Sequence, residues 1–448
     1  MISGFARASN SRFRAEAVER GTIMKYMRLC VVLILFIAPV AFSGCSDDDV
    51  TAPKGNEPLL DGPATLQKRI QRTNEFALDL YRQLNASEGN LIISPHSIVT
   101  AFGMAYAGAR GVTEREMAQA LHFNYPPAGF HSVLKCLNDL LESRGASGGP
   151  DALRLHIANS AWGREGMTYL PAYLDTIATC YGANLRYLDF GGQPEESRIT
   201  INQWVKDETE GLVKDLIPGG GITPATVLVL ANAIYFRASW LYQFDPIYTQ
   251  TWQFTRLDGS LVGVREMGGV GLFPYYDAVG HAAVALPYEG EECSMVVILP
   301  DEGNFESFEA ALTPAKVDTI LDGLGLLPGS RAGEACGGVY LPKFSFATGY
   351  DLIPTLQEMG MRTAFSPGAD FSGIDGTDDG SPWIDFVAHK AVISVNEYGT
   401  LAAAGTAFGF TVGEIKVFYV LRPFIFAIVD HGTGTILFLG RVLDPSIH

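Results

Sequence analysis

The hydrophobic rhythm of the chain changes near residue 153. Before that point apolar residues recur at helical spacing. In "ATLQKRIQRTNEFALDLYRQL", Ala64 to Leu84, the side chains of Leu66, Ile70, Phe76, Leu80 and Leu84 share roughly one face, which predicts an amphipathic helix. "SPHSIVTAFGMAYAGA" predicts a second helix, with Ser94 as its cap and Pro95 in its first turn. Its body is almost wholly apolar, so this helix is predicted to be buried. "TEREMAQAL" opens with Thr113 and Glu116 at capping-box spacing. "GFHSVLKCLNDLLESR" is amphipathic, and "GASGGPD", Gly145 to Asp151, reads as a loop.

From Leu153 the pattern turns strand-like. "LRLHIANSAWG" alternates, and the helical stretches "YLPAYLDTIATCYG" and "ITINQWVKDETEGLV" follow. "TVLVLANAIYFRASW", Thr226 to Trp240, is a long apolar run rich in β-branched residues, which predicts a strand buried on both faces. Further strand-like runs are "AAVALPYE", "SMVVILP", "GVYLPKFSFAT", "KAVISVNEYG", "VFYVLRPFIFAIVDH" and "TILFLGRVLDP". Helices early and strands late predict an α+β fold with one large sheet and a second, smaller sheet system.

One connection breaks the rules for a loop. "VNEYGTLAAAGTAFGFTVGE", Val395 to Glu414, joins two strand-like runs, yet from Glu397 onward it holds no Pro, Asn or Asp. It offers Thr400, Ala402, Ala403, Ala404, Gly405, Thr406 and Ala407, then Phe408 and Phe410.

The chain has 448 residues and 47% hydrophobic content, enough for a large core. Its start reads as an address. Lys25 and Arg28 precede the apolar run Leu29 to Phe42, the layout of a secretory signal, with the true start expected at Met24 or Met27. "FSGC" resembles a bacterial lipoprotein processing site, so Cys45 is expected to carry lipid and anchor the protein to a membrane of the bacterial envelope. A plain signal peptide and a soluble extracellular or periplasmic protein form the alternative. Residues 46–58 read as a flexible tether. The expected division is 1–44 signal, 45–62 lipidated Cys and tether, and 63–448 one domain.

Loss of residues 1–44 moves the formal charge from −17 to about −21. Such an acidic protein gains nothing from phosphate attraction, so neither nucleic acid nor heparin is an expected partner. Cys136, Cys180, Cys293 and Cys336 remain, without a zinc spacing, and they are compatible with two disulfides or with four buried thiols. No metal or cofactor is expected. "GASGG" formally matches a nucleophile elbow but lacks the strand before it and the helix after it. "DGTDDG", Asp375 to Gly380, begins like a calcium loop but has Phe386 where the bidentate Glu should stand. Nothing in the sequence supports an enzyme.

The ordered set "NLIISPHSI", "LANAIYFRASW", "LPYEGEECSMVVILPDE", "LPKFSF", "FSGIDG", "HKAVISVNEYGT" and "RPFIFAIVDHGTGTILFLGRVLDP" resembles the serpins, the serine protease inhibitor superfamily, from about Leu66 to Pro445. The resemblance implies three β-sheets, eight or nine helices and an exposed reactive-centre loop. It implies a monomeric suicide-substrate inhibitor of serine, possibly also cysteine, proteases. The protease forms a covalent acyl complex with the loop, and the cleaved loop inserts into the central sheet. The unusual composition then has a reason, because a segment that must become a central strand tolerates no Pro and little bulk. If Thr400 points inward, Ala402, Ala404, Thr406, Phe408 and Phe410 do too. The resemblance assigns the hinge to Glu397, Gly399, Thr400, Ala402, Ala403, Ala404, Gly405 and Thr406. It assigns a polar cluster where the strands part to Ser94, Ser97, Asn232 and His389, and a Trp at the top of the sheet to Trp240. The chain departs from the family at Tyr398 and Leu401. The usual hinge-to-cleavage interval gives Gly413–Glu414. A loop one residue shorter gives Val412–Gly413, which is preferred because Val fills a small apolar protease pocket; Thr411 and Phe410 are alternatives. With no Arg or Lys between Glu397 and Glu414, elastase-like, chymotrypsin-like or subtilisin-like targets are expected rather than trypsin-like ones. A binding or scaffold protein with the same fold is the competing reading.

Overall fold

The apolar stripe of the first predicted helix becomes α1 (Gly62–Leu84), whose Phe76, Leu80 and Tyr81 share a core cluster with Ile98, Val99 and Phe102 of α2 (Pro95–Tyr106). The computed structural model describes residues 62–86, 88–123, 127–146, 153–331, 333–377, 382–384, 386–400 and 416–447. Cys45, the leader and the tether lie outside the described residues. So does the loop 401–415, with Ala402, Ala403, Ala404, Gly405, Thr406, Phe410, Thr411, Val412, Gly413 and Glu414.

The other helices are α3 (Gly111–Ala120), α4 (Pro127–Glu142), α5 (Pro171–Tyr181), α6 (Pro194–Glu208), α7 (Phe305–Ala310), α8 (Pro314–Gly323), α9 (Ile353–Glu358) and α10 (Ser372–Asp375). The strands in chain order are β1 (Leu91–Ile93), β2 (Arg154–Arg164), β3 (Leu185–Leu188), β4 (Leu228–Ser239), β5 (Gln250–Thr255), β6 (Leu261–Ala278), β7 (His281–Pro287) and β8 (Cys293–Pro300). There follow β9 (Glu334–Pro342), β10 (Phe344–Asp351), β11 (Ala388–Asn396), β12 (Gly399–Thr400), β13 (Val417–Tyr419), β14 (Phe424–Asp430) and β15 (Ile436–Val442).

A six-stranded sheet runs β10-β11-β12-β4-β2-β3. The other strands form a continuous ladder, β1-β15-β14-β8-β7-β6-β9-β13, with β5 added on β6. The family picture counts two sheets here. They merge because β6 is 18 residues long: Glu266 to Tyr275 pair with β9, while Tyr275 to Ala278 pair with β7. Strands β8, β14 and β15 are buried at every position, which explains their unbroken apolar sequence. Alternate residues Met295, Val297 and Leu299 of β8 pack with Phe236, Phe346 and Ile393 of the six-stranded sheet, while Val296 and Ile298 join the helical core.

Three local expectations are corrected. The predicted helix 199–213 is α6, which starts at Pro194 and stops at Glu208, because Glu210 and Gly211 adopt positive φ. Thr113 and Glu116 do not form a capping box. Thr113 is buried and its hydroxyl accepts from Asp370 N, while the Glu116 carboxylate accepts from Arg362 N, Thr363 N and Thr363 Oγ1. Ser94 precedes α2, but its hydroxyl does not cap it. All four described cysteines are free thiols.

Glu266 on β6 is fully buried, and neither carboxylate oxygen has a hydrogen-bond partner. Burial pushes its carboxyl up to about 7. The folded protein therefore binds more protons than the unfolded chain between the ordinary carboxylate range and about 7. Stability contributed by the protonated group is complete below that window and lost as pH rises through it. Urea midpoints of the wild type should fall between pH 5 and pH 7.5 more steeply than those of Glu266→Met. Parallel pH slopes in the two proteins would show that the carboxyl is not held neutral.

Candidate functional site

The centre of the six-stranded sheet is open. Strand β4 pairs along one edge with β2 from Leu228 to Arg237, and β11 pairs along one edge with β10 from Ala388 to Val395. Their facing edges share only the two residues of β12. Gly399 lies opposite Ser239 and Asn396, and Thr400 lies opposite Ala238 and Val395, antiparallel to both neighbours. Among the described residues no strand bridges the two edges below Thr400. As a result Leu228, Val229, Leu230, Asn232 and Ile234 of β4 are only half-buried. The expectation of a strand buried on both faces is corrected here, because among the described residues β4 has no lateral neighbour on its β11 side below Ala238.

A cavity of about 140 Å³ lies in the lower part of this gap, lined by Ile98, Phe102, Leu230, Asn232, Val387 and His389 among others. A smaller one of about 20 Å³ lies nearer Thr400, against Ile234, Phe236, Ala391 and Ile393. The segment after α6 covers the outer face of the gap. Its Val213 and Ile217 pack with Val205 of α6, Ala231 of β4 and Val392 of β11. Asn202 holds this strap through two 2.8 Å bonds to the backbone N and O of Ile217. Lys390 of β11 reaches across and donates to Lys214 O at 2.6 Å.

At the top of the gap the hinge is clamped by side chains. The carboxylate of Glu397 is buried, with Lys343 Nζ at 2.7 Å from Oε2 and Thr249 Oγ1 donating to Oε1 at 2.8 Å. Burial alone would raise its pKa, but the hydrogen bonds from Lys343 and Thr249 and the Lys343 charge outweigh it and hold the carboxyl below its usual range. Trp240 donates from Nε1 to Asn396 O and from its backbone N to Tyr398 O, both at 2.9 Å. Its ring stacks on Tyr288 with centroids 4.7 Å apart. The Tyr288 hydroxyl and the Thr400 hydroxyl are 2.8 Å apart, so Thr400 points inward. Gly399 has φ +155°, and a Cβ there would collide with the carbonyl oxygen of Ala238.

Lower down, Ser94, Ser97, Asn232 and His389 come together. Ser94 N donates to His389 Nε2 at 3.1 Å, and Ser94 Oγ donates to Leu437 O at 2.8 Å. Ser97 Oγ donates to Asn232 Oδ1, and Asn232 Nδ2 donates to Asn159 Oδ1 at 2.8 Å. Asn159 in turn donates to Tyr181 O at 3.0 Å. Burial pushes His389 down to about 4, so the ring is neutral at pH 7 and carries its proton on Nδ1. Sequence reasoning missed Asn159, Tyr288, Lys343 and Thr249. Asn159 had a signal, a polar residue inside a buried alternating run; the others are marked only by long-range pairing. No nucleophile is paired with a base in this cluster, and the described residues hold no group of metal-ligating side chains.

Gly399→Ala should break the two-residue pairing on β4 and destabilise the protein by ~1–3 kcal/mol. Faster hydrogen exchange at Trp240 N and the residues around it, against unchanged exchange in β8 and β14, would report the lost clamp. Wild-type exchange in the variant would show that the close approach to Ala238 is not required.

With this geometry in place, comparisons with known proteins are specific. The family model described as serpin (serine protease inhibitor) matches residues 71–445. An uncharacterised serpin-like protein of Thermococcus kodakarensis is 38% identical over 383 residues, covering 84% of this chain and 86% of that protein. The leukocyte elastase inhibitor of Sus scrofa is 38% identical over 385 residues, covering 83% of this chain and 97% of that protein. Among solved structures, thyroxine-binding globulin in complex with thyroxine matches with TM-score 0.72 at 29% identity, over 85% of this chain and all of that one. Uncleaved ovalbumin matches with TM-score 0.73 at 26% identity, over 84% of this chain and 99% of that one. Fold, ordered motifs and family model agree, and the chain belongs to the serpin family.

Proposed function

We propose that this serpin is a suicide-substrate inhibitor of proteases. The observation that carries the reading is the half-begun strand: Gly399 and Thr400 are already zipped between β4 and β11, while both edges below them lack a described partner. The next loop residues, Leu401 to Ala407, are small or free of Pro, as entry into a sheet demands. The relative from Sus scrofa carries an inhibitor's name.

In the proposed mechanism the protease's catalytic Ser Oγ adds to the carbonyl carbon of the scissile bond. The peptide C–N bond breaks, the amine leaves with a proton from the protease, and an ester joins enzyme to loop. The freed loop then extends β12 down the gap and drags the bound enzyme along before water can hydrolyse the ester. The inhibitor supplies no catalytic group. Each backbone group entering the ladder satisfies an open edge, and each Phe side chain fully buried contributes about 1.5–3 kcal/mol. We assign the reactive bond to Val412–Gly413 and the targets to elastase-like or chymotrypsin- and subtilisin-like proteases. Glu397, Trp240 and Thr400 guard the entry, and Ser94, Ser97, Asn232 and His389 act where the strands must part. The leader and Cys45 support a lipid-anchored site of action at the bacterial envelope.

Thyroxine-binding globulin shares the fold, and its solved structure holds thyroxine, so a binding role is the competing reading. A protease panel separates the two. The domain 63–448 mixed with elastase, chymotrypsin, subtilisin and trypsin should form an SDS-stable complex with one or more of the first three and none with trypsin. Thr400→Arg should turn the inhibitor into a substrate, cleaved without a complex. Cleavage without any complex in the wild type would favour the binding role. Undiminished complex formation in Thr400→Arg would refute entry through this hinge.

A further inference from the structure

Glu266 has no hydrogen-bond partner, yet it stands at a junction on which the hinge depends. It lies on β6 between two strands, opposite Gln250 of β5 and Pro342 of β9. Gln250 directly follows Thr249, and Pro342 directly precedes Lys343. Thr249 and Lys343 are the residues whose side chains hold the Glu397 carboxylate, at 2.8 and 2.7 Å. Both are also tied to the chain neighbour of Glu266. Arg265 donates from its guanidinium to Thr249 O at 3.1 Å, and Lys343 N donates to Arg265 O at 2.8 Å. The two arms of the clamp thus leave the sheet on either side of residue 266.

Cross-strand partners share a face, and so do alternate residues of one strand. Glu266 therefore shares its face with Gln250 and Trp252 of β5, Val264 and Gly268 of β6, and Tyr340 and Pro342 of β9. Tyr340 is the one titratable group in that set. The charged groups of the junction are Arg265, Lys343 and Glu397, but burial is the sole cause acting on the Glu266 carboxyl, so no cation offsets its charge. A buried carboxyl without a partner costs stability, and an apolar side chain would fill the site without that cost. From this placement we propose that Glu266 is a positioning residue for the hinge clamp. Neutral, it lets β5, β6 and β9 close and sets Thr249 and Lys343 on Glu397. Ionised, it forces the junction apart to reach water and slackens both arms. A closed junction keeps the proton up to about pH 7, whereas an opened one releases it in the ordinary carboxylate range. Closure is therefore strongest at acid pH and weakens as pH rises through that window. The inference concerns the intact molecule and does not depend on the fate of the loop.

Hydrogen exchange of the intact protein, corrected for the intrinsic pH dependence of amide exchange, tests this. Trp240 N and Phe244 N donate to Tyr398 O and Glu397 O, so their protection reports the clamp. In the wild type it should fall by about tenfold or more between pH 5 and pH 7.5. Glu266→Gln keeps the shape without the charge, and Glu266→Met fills the site with an apolar chain. Both variants should show level protection across the same range. A flat wild-type profile, or the same fall in Glu266→Gln and Glu266→Met, overturns the proposal. So does protection at Trp240 N and Phe244 N that equals that of the β14 amides at every pH, because the carboxyl would then act on the whole fold and not on the clamp. Failure of every protease to form a complex, with the pH-dependent clamp intact, would count against the inhibitory reading and leave this inference standing.

Discussion

Two backbone edges, one on β4 and one on β11, face each other with only β12 between them. Buried amide and carbonyl groups demand partners, and a sheet interrupted at its centre leaves a column of them poorly served. The Glu397–Lys343 pair and the Trp240–Tyr288 stack fix the upper end. The Ser97–Asn232–Asn159 chain gives polar groups at mid-height internal partners. The strap, tied by Asn202 and Lys390, shields the outer side.

The clamp and the cluster differ in chemistry, and the difference has a purpose. Glu397 is ionised and salt-bridged, whereas His389 is neutral and accepts a backbone N–H. With His389 held near 4, the cluster does not change charge across physiological pH.

Much of the fold could be read from the chain because it rests on local signals. The apolar runs of β8 and β14 announced strands, and the stripe from Leu66 to Leu84 announced α1. The loop's composition, free of Pro from Glu397 onward, marked it as unlike an ordinary connection. Other features were illegible because they depend on residues far apart in sequence. Thr113 and Glu116 have the spacing of a cap but find partners more than 240 residues away. Tyr288 and Thr400 meet across 112 positions. The half-exposure of β4 could not be foreseen from an apolar run, because hydrophobic content does not say whether a strand lies alongside.

An open β-edge does not recognise sequence numbers; it accepts any extended segment of suitable side-chain size. The facing edges of β4 and β11 below Thr400 are edges of this kind among the described residues. Gly399 and Thr400 occupy the top of that gap, so two residues of the chain itself already cover both edges there.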